Sequence, residues 1–178
     1  MLRPIDTVYN GYRFRSRLEA RWAVFFDVLG VPYDYEPEGY DLGRVGWYLP
    51  DFWLPEQRCW VEIKPADNWT FHPKIAALAS GSGFQGLYVC GNPWFGDYGI
   101  RHHLGDEDWS FCEHPHRFAL GRRDEQELWV VHEDCCWHCL NPRTDDARYP
   151  LQEAPRIMEA YEAARGARFE HGERGPKV

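Results

Sequence analysis

Residues 48–65 read YLPDFWLPEQRCWVEIKP. Two runs of alternating character flank residues 55–58, the pattern of antiparallel strands joined by a tight turn. A turn centred on Glu56 and Gln57 sets Phe52 opposite Val61, Trp53 opposite Trp60 and Asp51 opposite Glu62. Carboxylates at directly opposed positions have Cβ atoms about 5 Å apart and repel. A divalent cation is the simplest compensation. Lys64 lies two residues beyond Glu62 and shares its face. On the other face, Tyr48, Phe52 and Leu54 align with Cys59, Val61 and Ile63, an apolar set that predicts packing on a core. The strands are predicted at 45–54 and 59–64, with Trp47, Trp53 and Trp60 on the acidic face.

Upstream, residues 8–15 alternate as an extended segment, and Ser16 opens a helix. Leu18, Trp22, Phe25, Phe26 and Leu29 form one apolar face of that helix. Gly30 stands where a C-terminal glycine belongs, and Pro32 prevents continuation. A short strand is expected at 33–36. Downstream, Pro65 ends the second strand of the hairpin. A helix is predicted at about 73–80, with Gly81 and Gly83 breaking it, and the apolar run GLYVCGNP (86–93) is a buried strand. ELWVVHE (127–133) is another strand candidate, and Pro155 begins a last helix to about Arg165 with Ile157, Tyr161 and Ala164 on one side. Residues 91–126, rich in Gly, Pro, His and Asp, carry no periodic pattern. This order predicts an α/β or α+β arrangement around a mixed sheet.

The chain has 178 residues, of which 44% are hydrophobic, enough for one domain with a real core. The net charge of −8 argues against a large basic footprint, so contact with a polyanion must be local. Arg3, Arg13, Arg15, Arg17 and Arg21 crowd the first 24 residues, whereas 67–178 hold most of the acidic excess. No apolar run approaches a membrane span and no secretory leader pattern opens the chain, so a cytoplasmic protein without membrane association is expected.

Asp51 and Glu62 are hard oxygen ligands suited to Mg²⁺ or Mn²⁺, with the Ile63 main-chain carbonyl as a further donor. A bound cation of this kind lowers the pKa of water and offsets charge at phosphorus. Lys64 can hold the attacking water and add positive charge near a phosphate. Together these residues suit phosphodiester hydrolysis. Glu19, on the first helix near its apolar face, is a fourth candidate, as a ligand directly or through water. The pattern Ser16-x-x-Glu19 is also a capping box, in which Glu19 reaches back to the Ser16 amide.

RFRSRLEARWAVFFDVLGVPYDYEPEGYDL (13–42), YLPDFWLP (48–55) and WVEIKP (60–65) together resemble the PD-(D/E)XK nuclease superfamily, in particular its small phage- and transposon-type members. Glu19 matches the acidic residue of the leading helix, Pro50–Asp51 the "PD", and Glu62, Ile63 and Lys64 the "(D/E)XK". The resemblance covers about 8–95. It implies a restriction-endonuclease-like mixed β-sheet flanked by helices, and Mg²⁺-dependent DNA cleavage leaving a 5′-phosphate. Residues 1–95 are then the nuclease core. Residues 96–178 form an irregular Cys/His-containing extension, for recognition, oligomer contact or zinc binding, packed on the core as one domain.

Arg13, Arg15, Arg17 and Arg21 adjoin this site and are candidate DNA-phosphate contacts, as is Lys74 on the next helix. Trp53 and Trp60 are expected to pair with each other, and Trp47 is the candidate for base stacking. Of the six cysteines, Cys136-x-x-Cys139 has knuckle spacing. With Cys112 and His114 they compose a candidate structural zinc site, for which Cys135, His116, His132 and His138 compete. A homodimer or a DNA-targeting protein partner would supply affinity that an acidic chain lacks. Two other readings stand beside DNA cleavage: a non-catalytic, zinc-stabilised nucleic-acid-binding or interaction module, and a nuclease for RNA or branched DNA junctions.

Overall fold

The computed structural model describes residues 4–66, 73–94, 98–104, 122–123, 127–128 and 155–169. It opens on a hairpin of β1 (Thr7–Tyr9) and β2 (Tyr12–Phe14). Asn10 and Gly11 form its turn with φ of 45° and 83°, the left-handed geometry that matches strand twist and that Asn-Gly adopts at low cost. Helix α1 (Arg17–Leu29) follows. The Ser16 side chain caps its first turn, and Gly30, at φ 70°, closes it with its amide on the Asp27 carbonyl. The predicted limits of this helix are the observed ones.

Next come β3 (Asp34–Tyr35), β4 (Tyr40–Asp41), β5 (Trp47–Tyr48), β6 (Phe52–Leu54) and β7 (Cys59–Lys64). Helix α2 (Pro73–Ser82), β8 (Gln85–Gly91), β9 (Tyr98–Leu104), β10 (Arg122–Arg123), β11 (Glu127–Leu128) and α3 (Pro155–Gly166) complete the described elements. The main sheet has five strands in the order β3-β6-β7-β8-β9. Only the β7–β8 pair is parallel, and α2 lies between those two strands in the chain, as a parallel crossover demands. The other pairs in that sheet are antiparallel. The protein is therefore mixed α/β with a mixed sheet.

Helix α1 buries Trp22, Phe25, Phe26 and Leu29 against Phe52, Leu54, Cys59, Val61, Ile63, Leu87 and Val89 of the sheet. Ala160, Tyr161 and Ala164 of α3 join this core, with the Tyr161 ring 4.9 Å from that of Phe25. A smaller core on the opposite face joins Ile75 and Leu78 of α2 to Tyr48, Trp60, Tyr88 and Cys90. Gly86 lets α2 approach the sheet, because a Cβ there would stand 3.2 Å from both Ala79 Cβ and Ile75 Cγ1. The sheet is thus covered on both faces.

The hairpin register is the expected one: Phe52 pairs with Val61, Trp53 with Trp60 and Leu54 with Cys59. The Trp53 and Trp60 rings lie 4.2 Å apart. The predicted continuous strand over 45–54 is not observed. Residues 49–51 interrupt it, and β5 leaves the main sheet to pair with β4. Pro50 explains the break, since it has no amide to give a ladder. The break resets the alternation, so Tyr48 faces α2 with Trp60 rather than joining Phe52 and Leu54. Gly81 lies within α2 rather than ending it; Gly83, at φ 68°, stands just beyond. Strand β9 occupies part of the stretch that carried no sequence pattern, and of 127–133 only Glu127–Leu128 is a described strand. The candidate zinc ligands Cys112, His114, Cys136 and Cys139 fall outside the described residues. Among the described residues no helix is long and apolar enough to cross a membrane.

Phe52 is 0% exposed, and its ring lies within 6.1 Å of the Phe14, Phe26, Tyr33 and Tyr35 rings. Phe52→Ala should cost about 3–5 kcal/mol of stability, because a cavity adds to the lost burial. Urea unfolding measures it as a lower midpoint with unchanged slope.

Candidate active site

β7 is the central strand of the sheet, and it carries Glu62, Ile63 and Lys64 at its end. Ile63 points into the α1 core, which turns its two neighbours to the other face. Asp51 continues the β6 register to the position opposite Glu62 although it lies just outside the strand. Both are buried, Asp51 to 8% exposure and Glu62 to 4%.

The two carboxylates converge on one ammonium. Lys64 Nζ forms an ion pair with Glu62 Oε1, and it lies 3.6 Å from Asp51 Oδ2. Asp51 Oδ2 also accepts from the Ile63 amide at 2.7 Å, which fixes the carboxylate against β7. The Ile63 carbonyl accepts from Lys64 Nζ at 3.1 Å. The residues of the PD and ExK stretches are therefore brought together, and Lys64 stands where their negative charge meets.

Among the described residues, Lys64 is the cation that both buried carboxylates face, so two like charges stand together. The titration of Asp51 expresses this. Its carboxyl is held well above the usual range, first by burial, then by the Glu62 charge; Lys64 opposes this, Glu19 adds to it, and the Ile63 hydrogen bond opposes it. For Lys64, burial pushes the pKa down, but Asp51 and Glu62 outweigh it and the net shift is upward. The side chain is consequently an ammonium at neutral pH.

Tyr48 is a site residue that the assumed uninterrupted strand concealed. Its hydroxyl donates to Glu62 Oε2 at 2.6 Å. Burial, then the Glu62 charge and hydrogen bond, raise the phenol pKa, so it remains a donor. The signal lay in Pro50: a proline inside a strand pattern warns that the alternation restarts. Trp47, placed on the acidic face by an unbroken strand, is instead 64% exposed on β5.

Glu19 is buried but not joined to this pair by a hydrogen bond. Its Oε1 accepts from the Ser16 hydroxyl at 2.7 Å, and the Glu19 amide donates to Ser16 Oγ at 3.2 Å. Its Oε2 accepts from the Tyr35 hydroxyl at 2.5 Å and from the Arg15 amide at 3.2 Å. The capping box is formed, with the Arg15 amide and Ser16 hydroxyl in place of the expected Ser16 amide. Glu19 nonetheless lies close enough to raise Asp51.

The basic residues are distributed around this centre. Arg13 pairs with Asp6 at 2.6 Å, and Arg15 Nε with Glu36 Oε1 at 2.6 Å. Glu36 has φ 45° and its amide donates to the Asp51 carbonyl at 2.9 Å, tying β3 to the site. Arg17 and Arg21 are half-buried on α1. Lys74 Nζ donates to the Trp47 carbonyl at 2.8 Å.

Among the described residues, no group of three or more His, Cys, Asp or Glu side chains is arranged to hold a metal. The donor set that fits a hard cation is smaller: the Asp51 and Glu62 carboxylates with the Ile63 carbonyl, all three already directed at a cationic group. Comparison with known proteins found no matching family model, curated protein or solved structure.

The raised pKa of Asp51 has a consequence for stability. The folded chain holds this proton more tightly than the unfolded chain does. The stabilisation is complete below the unfolded value and is lost as the pH rises through the folded value. Asp51→Asn should therefore raise the melting temperature in divalent-free buffer at neutral and alkaline pH. The gain should shrink as the pH falls and native Asp51 protonates. Thermal unfolding across pH measures this; an Asp51→Asn variant less stable by the same amount throughout would contradict it.

Proposed function

We propose that the chain is a metal-dependent DNA endonuclease of the PD-(D/E)XK type, with a restriction-endonuclease-like core. The observation that carries this reading is the convergence of two buried carboxylates, Asp51 and Glu62, on the ammonium of Lys64. Holding two carboxylates together in a buried place costs free energy, through desolvation and mutual repulsion. A purely structural hairpin has no use for that cost, whereas a site for a divalent cation does.

In this proposal Asp51, Glu62 and the Ile63 carbonyl hold Mg²⁺ or Mn²⁺. The cation, when bound, acidifies water and offsets charge on the phosphate oxygens. The chain's own groups do the rest. The Ile63 amide orients Asp51, and the Tyr48 hydroxyl orients Glu62. Lys64, on the same strand face, turns its ammonium from the carboxylates toward the attacking oxygen and the scissile phosphate. As a cation at neutral pH it positions the nucleophile and stabilises the developing charge; it is not the base that removes the proton. Glu19 supports the acidic cluster through its field and anchors the start of α1. Arg15, Arg17 and Arg21, on or beside α1, are candidates for phosphate contact, as are Arg13 and Lys74. A DNA-targeting partner or a second copy of the chain would add the affinity that a net charge of −8 withholds.

Incubation of the purified chain with supercoiled plasmid and Mg²⁺ or Mn²⁺ should give nicked or linear DNA, and chelation should abolish it. Lys64→Ala and Asp51→Asn should each lower the rate about 100-fold or more. Tyr48→Phe should lower it about tenfold, since it removes one hydrogen bond of about 1.4 kcal/mol. Cleavage that continues unchanged in the Lys64 and Asp51 variants would overturn the assignment.

A further inference from the structure

Among the described residues the large exposed apolar side chains are Ile5, Val8, Val45, Trp47 and Met158, and Trp47 is the aromatic one. Its neighbour Tyr48 reaches inward to Glu62, so Trp47 starts one residue from the acidic centre and points the other way. Its indole is seated. A Cβ on Gly39 would overlap Trp47 Cζ2, so the six-membered ring rests where any other residue at 39 would collide with it. The backbone beneath is fixed by β4–β5 pairing and by Lys74 Nζ on the Trp47 carbonyl. That ammonium uses one of its three donors there, which leaves it suited to a phosphate as well. Arg44 is exposed in the short turn Gly43–Val45 that joins the two strands. Asp41, opposite Trp47, accepts from the Gly43 amide at 3.0 Å and so closes the turn.

An exposed, positioned indole, with Lys74 on its own carbonyl and Arg44 exposed in the adjoining turn, suits stacking of a nucleobase and contact with its phosphates. Bases inside a duplex already have both faces covered by their neighbours. An unpaired base, unlike one inside a duplex, can present a face to an indole. The geometry points to Trp47 as a stacking shelf for an unpaired nucleobase, placing the acidic site beside a single-stranded segment such as a fork, flap or junction arm. This inference rests on the nuclease reading of Asp51, Glu62 and Lys64 and narrows its substrate class.

The test compares cleavage of a forked DNA and a fully paired duplex of the same sequence by the whole chain and by Trp47→Ala, Trp47→Phe and Gly39→Ala. Circular dichroism confirms folding. Trp47→Ala should raise KM for the fork about tenfold with kcat within about twofold, and leave the duplex unchanged. Trp47→Phe should recover part of the loss. Gly39→Ala, which displaces the ring but keeps the tryptophan, should resemble Trp47→Ala. Equal effects on fork and duplex, or none on either, would overturn the shelf and leave the nuclease reading intact. A chain that cleaves neither substrate would overturn the nuclease reading itself. Fluorescence anisotropy of a labelled oligo-dT then decides the shelf alone: Trp47-dependent binding supports it, and no binding, or binding indifferent to Trp47, overturns it.

Discussion

The structure turns on two buried carboxylates that converge on one ammonium. Asp51 and Glu62 are buried on the central strands, and Lys64 is the cation that both of them face. Every element around them has a part in holding that arrangement. The Ile63 amide fixes Asp51, the Tyr48 hydroxyl fixes Glu62, and the Glu36 amide fixes the Asp51 main chain. The α1 core locks Ile63 on the opposite face and thereby sets the direction of Glu62 and Lys64. Buried ions are costly in water-poor surroundings unless a compensating charge stands close by. The proposed divalent cation would stand against these two carboxylates.

The second constraint is Pro50. It removes an amide from the ladder, splits the first hairpin strand and shifts the alternation by one residue. That shift has two effects. It delivers Tyr48 to Glu62, and it turns Trp47 outward onto Gly39. Asp51, just outside β6, accepts the Ile63 amide with its carboxylate. One residue without an amide thus shapes both the buried site and the exposed surface next to it.

Much of this was legible beforehand because it depends on local rules. Ser16 and Gly30 bound α1, the turn at residues 55–58 fixes the hairpin register, and period-two patterning puts Val61 and Ile63 in the core. The pairing of Trp53 with Trp60 follows from the same register. Contacts made across distant segments were not legible. Nothing in the neighbourhood of Tyr35 reveals that its hydroxyl meets Glu19, nor does α1 announce that Tyr161 of α3 covers Phe25. Strand β9 lacks a hydrophobic period in its sequence, YGIRHHL, and owes its place to pairing with β8. Glu19 makes the contacts of a helix cap, and its charge still reaches Asp51.

The Asp51–Glu62 pair is the proposed seat of a divalent cation. Isothermal titration of Mn²⁺ into the whole chain, beside its Asp51→Asn variant, tests it without any assumption about substrate. Saturable binding, tighter as the pH rises and Asp51 loses its proton, and lost in the variant, is the predicted result. Binding that is indifferent to Asp51, or no binding at millimolar Mn²⁺, would contradict it.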